Sequence, residues 1–468
     1  MTDCNQKEFE FQGLKSRKII GSFNGGTITS DAGSLLLREV EGRTGILKGF
    51  SGCFKDYRHE ESIEHTVSEL VSQRVYGLCL GYEDLNDHDV LRRDPLLALL
   101  SGKKDPTGQS RRREQDRGKA LAGKSTLNRL ELTRSEIEEG KARKIVCRHE
   151  GVEDLFVDIF LKLEGKASEE IVLDLDATDD LIHGMQEGRF FHGYYGNYCY
   201  LPLYIFCGDH LLCAKLRTSN RDGADGALEE VKRIVERIRQ KWPEVKILLR
   251  GDSGFCRDLL MNWAENQHQV DYVFGLAKNN RLKTELEGAM AEAKAEHDKT
   301  GESARRFVDF RYQTLDSWSR ERRVIGKAEY MDKGENPRFV VTSLSPEQMG
   351  AQGLYEDCYC ARGEMENRIK EQQLDLFADR TSTETMRANQ LRLWFSSVAY
   401  TLMHALRMFG LKATEFAQAQ CGTIRNKILK IGAQVRISVR RVLVSFASGY
   451  PYQDVFEQVF QRLKALRI

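Results

Sequence analysis

The chain has 468 residues, 41% of them apolar and 30% charged, with a formal net charge of +1. This composition excludes a disordered chain, and the length suits two to four domains rather than one core. The longest apolar runs, such as Leu203–Cys207, fall far short of a membrane span, and the near-neutral sum excludes a uniformly basic nucleic-acid binder.

The eleven cysteines contain no CxxC pair and no Cys/His ladder at zinc spacing, which fits free thiols in a reducing compartment. The first residues, Met1 to Lys7, are polar and lack a signal-peptide core, so a cytoplasmic location is expected. The distribution of charge says more than its sum. From Arg387 to Ile468 there are thirteen Lys/Arg against three Asp/Glu, and from Lys103 to Arg129 nine against three. Two surfaces for a polyanion are one reading, and solvated helix faces the other.

In chain order, Ser62 to Val71 places apolar residues at i, i+4, i+7 and i+8 behind a Ser N-cap, which predicts a helix within a helical stretch over 60–100. Lys119 to Leu130 reads as two short helical pieces around Gly123, the outline of a helix-turn-helix. Gly118 to Ser125 also fits the P-loop pattern letter for letter. However, the preceding Gln109 to Arg117 is too charged to be the buried strand a P-loop requires. Lys124 and Arg129 suit contacts to a DNA backbone better.

At Ile171 the period changes to two. Ile171 to Asp176 predicts a strand with Val172, Asp174 and Asp176 on one face. The aromatic, alternating run Tyr194 to Phe206 and Leu211 to Leu216 flank the turn Gly208 to His210, which predicts a hairpin. A helix over Ala224 to Gln240, a strand over Val245 to Arg250, a helix over Leu259 to Glu265 and a strand over Tyr272 to Ala277 follow. This order is that of an RNase H-like α/β core. Residues 280–345 then hold a charged helix (Leu282 to Glu296) and three strand-like runs, read as a β-rich insertion. A helix over Met386 to Met408 follows, ending at Gly410, and the remainder reads as helical and basic. The resulting division is 1–165, a helical N-terminal DNA-binding domain; 166–279, the first part of the core; 280–345, the insertion; 346–410, the core segment with the glutamate helix; and 411–468, a basic helical C-terminal region.

Three carboxylates carry the chemistry. Asp176 and Asp252 each end an apolar strand and precede small residues, and Glu366 lies on a helix whose face holds Tyr359, Arg362, Lys370 and Gln373. Carboxylates delivered from two strands and a helix are what a two-metal phosphoryl-transfer site requires. Asp174 shares the face of Asp176 and competes with it; Asp179, Asp180 and Asp209 read as turn or cap residues. Taken alone, Arg362, Glu366 and Lys370 would be an ordinary i,i+4 ion-pair ladder. Trp318, among arginines in the insertion, is either a stacking platform or a core tryptophan.

Asp176-x-Thr178, Gly251-Asp252-Ser-Gly254-Phe255 and Tyr359-x2-Arg362-x3-Glu366-Asn-Arg-Ile-Lys370 resemble the signature of bacterial insertion-sequence DDE transposases, in the branch with a β-rich insertion before the glutamate. Gly81 to Pro95 resembles that family's N-terminal helical segment. The resemblance implies a transposase that cuts and rejoins double-stranded DNA at insertion-sequence ends and in a target, acting as a homodimer when both ends are joined. It implies that Asp176, Asp252 and Glu366 hold two Mg²⁺ ions, with Mn²⁺ able to substitute, and that Tyr359, Arg362, Lys370 and Trp318 contact the DNA. The family pattern has a lysine where this chain has Gln373, so the basic helper is Lys370 or Gln373. A nuclease that cleaves without joining and a DNA-binding relic are the other classes these residues allow.

Overall fold

The computed structural model describes residues 7–133 and 144–467; the first six residues of the polar N-terminus lie outside them. The chain forms two compact units. Of the described residues, one comprises 7–130, 144–145 and 405–467, and the other is built chiefly from Val146–His404.

The second unit carries a mixed sheet. Its elements are α1 (His149–Glu164), β1 (Glu170–Ala177), β2 (Leu203–Cys207), β3 (His210–Lys215), α2 (Ala227–Lys241), β4 (Lys246–Gly251), α3 (Asp258–Glu265), β5 (Val270–Leu276), α4 (Glu287–Thr300), β6 (Ala304–Tyr312), β7 (Arg322–Met331), β8 (Arg338–Thr342), α5 (Gly363–Leu376) and α6 (Met386–Ala405). The strand order is β3-β2-β1-β4-β5-β8-β7-β6. The first three strands form an antiparallel meander, and β1, β4 and β5 run parallel. This is the RNase H-like order expected from the sequence. The strands of the β-rich insertion do not form a sheet of their own: β8 pairs with β5, and β7 and β6 continue outward.

Both faces of this sheet are buried, which is why β4 reads as a continuous apolar run. Ile247 and Leu249 join Leu173, Leu175, Val231, Met261 and Met290 in a core on the side of α2, α3 and α4. Leu248, with Val273, Ile325 and Val340, faces the other way and packs on Leu354, Tyr355 and Cys358 of the segment leading to α5. At the far edge, α6 buries Leu391, Trp394, Phe395 and Val398. Trp394 Nε1 and Gln390 Nε2 donate to the Ala214 carbonyl, and Gln390 Oε1 accepts from Leu216 N. Side chains of α6 thereby satisfy an edge that would otherwise invite another strand.

Several expectations are corrected here. The alternating run from Tyr194 breaks at Leu201-Pro202, so only Leu203–Cys207 joins the main sheet. Phe190–His192 and Asn197–Tyr200 instead form a separate small sheet with Asp180–Leu181. The charged helix after β5 is two helices, Asn280–Thr284 and α4.

In the first unit, the chain opens on an antiparallel hairpin, Glu8–Leu14 with Arg17–Ser22, ahead of its helices. The helix predicted from Ser62 starts later, at Val67, because Thr66 and Glu69 form a reciprocal capping box. Asp94 caps Pro95–Leu100, accepting from Leu96 N and Leu97 N. The helix-turn-helix reading is not realised: one helix, Lys124–Glu131, follows an irregular segment, and a 3-10 turn, Glu114–Asp116, stands where a P-loop needs its strand. The C-terminal stretch is not helical throughout. Ala433–Ile437 and Val442–Phe446 pair as a hairpin and add Ile28–Thr29, over a core of Ala32, Leu96, Ile431 and Val435. Gly410 is not a helix C-cap; it lies in a wide helical turn, Leu406–Leu411, where a Cβ would meet Val459 at 2.8 Å.

Candidate active site

The register of the parallel pair β1 and β4 sets Asp174 against Arg250 and Leu175 against Gly251. The next residues along these strands are Asp176 and Asp252, at the carboxyl ends where parallel α/β sheets place their ligands. The two strand-end aspartates read from the sequence are therefore neighbours. The Asp252 carboxylate accepts the Gly254 N–H at 2.8 Å, a tight turn in which a Cβ on Gly254 would lie 2.9 Å from that oxygen. Asp176 Oδ1 accepts the Ala177 N–H at 2.9 Å.

Opposite them, Arg362, just before α5, and Glu366, Lys370 and Gln373 of α5 line the same cavity, of ≈ 660 Å³, as Asp176 and Asp252. Arg362 spans the carboxylates: its Nη2 donates to Glu366 at 2.8 Å, and its Nη1 is 3.5 Å from Asp176. Tyr359, one turn earlier, lies in an adjoining cavity that shares Asp252. Its hydroxyl fills the space beside Gly275, where a Cβ would come within 2.6 Å.

Burial pushes the Asp176 carboxyl up to about 6 against the pull of Arg362, while Asp252 and Glu366 add like charge. Because this value lies above the unfolded carboxylate's, ionised Asp176 opposes folding above pH 6, and the penalty fades as pH falls toward 4. Asp176→Asn should therefore stabilise the unit by about 1–3 kcal/mol at pH 7 in chelator, with the gain vanishing near pH 4. Denaturant melts at the two pH values check this.

Asp174 is a structural residue in this geometry. It is buried, accepts Arg250 Nε and Nη2 at 2.5 and 2.8 Å, and lies off the cavity; Arg250 also donates to the Cys358 carbonyl. Gln373 is engaged too, its Nε2 donating to the Asp179 carbonyl at 3.1 Å. Lys370 is exposed at the cavity wall. Trp318 is only 6% exposed, packed edge-on against Tyr312 with the Arg322 guanidinium over its ring, so of its two readings the core tryptophan holds.

In the first unit, Lys124 and Arg129 are exposed, but Lys124 Nζ donates to Asn86 and pairs with Asp89 at 3.6 Å. Part of the basic excess there is also used internally, as Lys103 pairs with Glu69 and Arg111 with Glu64.

The sequence reading missed cavity residues. Asp179, read as a turn residue, and His192, Tyr194 and Tyr195 all line it. The signal for the aromatics was present as an unusual density of rings between Phe190 and Tyr198.

Among the described residues, no group of three His, Cys, Asp or Glu side chains stands close enough to hold a metal. The donor chemistry nevertheless is of the kind a hard divalent cation takes, since Asp176, Asp252 and Glu366 present carboxylate oxygens to one cavity. No helix among the described residues is long and apolar enough to cross a membrane, and the described cysteines are free thiols.

No curated protein matches the chain. Among solved structures it is similar to piggyBac transposase in a cryo-EM synaptic complex with hairpin DNA, at 10% identity and a TM-score of 0.39, covering 85% of this chain and 80% of that one. The family model Transposase DDE domain group 1 matches residues 11–468, almost the whole length, and the chain belongs to that family of transposases.

Proposed function

We propose that the protein is a metal-dependent DNA transposase that cleaves DNA at insertion-sequence ends and joins the freed ends to a target. The observation that carries this reading is the meeting of Asp176, Asp252 and Glu366 in one cavity at the carboxyl ends of two parallel strands. Asp176, Asp252 and Glu366 would hold two Mg²⁺ (or Mn²⁺) ions, which when bound supply an activated nucleophile and stabilise the leaving 3′ oxygen.

The chain's own residues position the strand, which is most of what phosphoryl transfer asks of a protein. Arg362, already between Asp176 and Glu366, exchanges carboxylate for phosphate as the strand enters. Its planar fork suits that exchange. Tyr359 supports the Asp252 side. Lys370 serves as the basic helper in preference to Gln373, whose amide is engaged by Asp179. Lys370→Ala should lower the cleavage rate about tenfold or more, the loss of one charged phosphate contact, whereas Gln373→Ala changes it little. Single-turnover cleavage of labelled ends measures both.

Exposed basic residues of the first unit, including Lys124, Arg129, Arg112, Arg113 and Arg117, would meet the DNA backbone. Joining two ends calls for two copies of the chain. The test is a strand-transfer assay with pre-cut ends and a target plasmid in Mg²⁺. Joined product supports the transposase, cleavage without joining indicates a nuclease, and neither reaction overturns the proposal.

A further inference from the structure

The connection between β1 and β2 holds an aromatic surface with no counterpart elsewhere around the cavity. Phe190–His192 pairs with Asn197–Tyr200 in antiparallel register, Phe191 opposite Tyr198 and His192 opposite Asn197. Cys199 and Tyr200 anchor this hairpin in the interior. Four of its other rings are exposed. Tyr194, at the tip, is 88% exposed and Phe191 57%, with Phe190 and Tyr198 also exposed. The Phe191 and Tyr198 rings meet edge to face at 5.5 Å, and the Arg189 guanidinium lies 3.5 Å from the centre of the Tyr198 ring. Gly193 and Gly196 flank the tip, Gly196 with φ +68°, so the tip carries little besides its tyrosines.

The tip of this hairpin is continuous with the carboxylate cavity. His192, Tyr194 and Tyr195 line that cavity together with Asp176 and Asp252, and the Tyr195 hydroxyl reaches the carbonyl of Ala177, next to Asp176, at 3.4 Å. His192 and Tyr194 both pack against the Tyr195 ring, 4.9 and 5.1 Å between centroids. A strand whose phosphate lay at the carboxylates would have the His192, Tyr194 and Tyr195 rings beside it in the same cavity, while the Phe191/Tyr198 pair lies on the other face of the hairpin. Planar aromatics with an arginine and few aliphatic side chains suit nucleobases, whose faces stack on aromatic rings regardless of sequence. Trp318, the residue the sequence nominated for stacking, is buried in the core.

We propose that the tip of the hairpin Phe190–Tyr200 is a stacking platform for unpaired nucleobases of the DNA strand entering the cavity, with Tyr194 as its contact face, backed by Tyr195 and His192. The proposal rests on the transposase reading above. These side chains position the strand and take no part in the chemistry. The Tyr194 ring is exposed, so substituting it spares the fold, and Tyr194→Phe keeps the stacking face that Tyr194→Ala removes.

The test uses the full chain, Ca²⁺ in place of Mg²⁺, and a forked duplex of arbitrary sequence with 2-aminopurine in its unpaired arm. The wild type and Tyr194→Phe should quench the probe and bind the fork more tightly than a blunt duplex. Tyr194→Ala should lose the quenching and about tenfold or more of fork affinity, while binding the blunt duplex as the wild type does; Phe191→Ala/Tyr198→Ala, on the other face of the hairpin, should keep both. Equal quenching and fork affinity in the wild type and Tyr194→Ala overturns the platform. So does a surface that serves a protein partner, because both readouts then stay at wild-type values. The binding arm needs no catalysis, so a wild type that stacks the fork but neither cuts nor joins DNA overturns the transposase reading and leaves the platform standing.

Discussion

Asp252→Asn should reduce DNA cleavage by about 10³-fold or more, a loss of about 4 kcal/mol of transition-state stabilisation, with end binding unchanged. Asp252 follows the last residue of β4, in a turn closed by its bond from the Gly254 N–H. An asparagine carbonyl can accept that same bond, so the turn survives and only the negative charge is lost. That charge is what a divalent ion at the site would require, whereas affinity for DNA comes mainly from contacts to its backbone. Parallel cleavage and gel-shift measurements on the same labelled ends separate the two effects. Cleavage at the wild-type rate by this variant would remove Asp252 from the site.

Asp174→Ala should act in the opposite sense, on folding before chemistry. Asp174 is buried, and its two oxygens hold the guanidinium of Arg250, its register partner on β4. Burial raises the Asp174 carboxyl, against the pull of the Arg250 hydrogen bond and charge. Removing the carboxylate leaves a charged arginine inside the sheet layer, still bonded only through its other arm to Cys358. Such a broken buried pair costs about 3–5 kcal/mol. The double variant Asp174→Ala/Arg250→Met should regain most of that, because the uncompensated charge is gone. Denaturant unfolding of the two variants and the wild type reads the difference. Together with the stabilising Asp176→Asn, this distinguishes two aspartates that share one strand face: one holds the sheet together, and the other is held ionised at a cost to stability.

The parts of this fold visible in the sequence are those set by local pattern. Period-two apolar alternation marks β1, and a continuous apolar run marks β4, buried on both faces. Helical spacing gave the stripe from Arg362 to Gln373 that now faces one cavity. Other features depended on partners far away in the chain. The insertion's strands have the right pattern, but nothing local shows that β8 pairs with β5 and extends the sheet. The hairpin Ala433–Ile437 with Val442–Phe446 was obscured by its interspersed arginines and by the helices before and after it. Trp318 sits among charges in sequence, and its burial follows only once Tyr312 and Arg322 fold against it.

By itself, the sequence determined the family, the order of the core elements and the three carboxylates proposed as ligands, because each is a statement about residue type, period or spacing. Only the tertiary structure decided which of Asp174 and Asp176 faces the cavity. Both lie on one strand face, and the choice depends on the register that sets Asp174 against Arg250. It likewise decided that Gln373 is occupied while Lys370 stands at the cavity wall, and that the exposed rings at the mouth belong to Phe190–Tyr200. Strand register, burial and neighbouring acceptors are properties of the packed chain, and no window of sequence contains them.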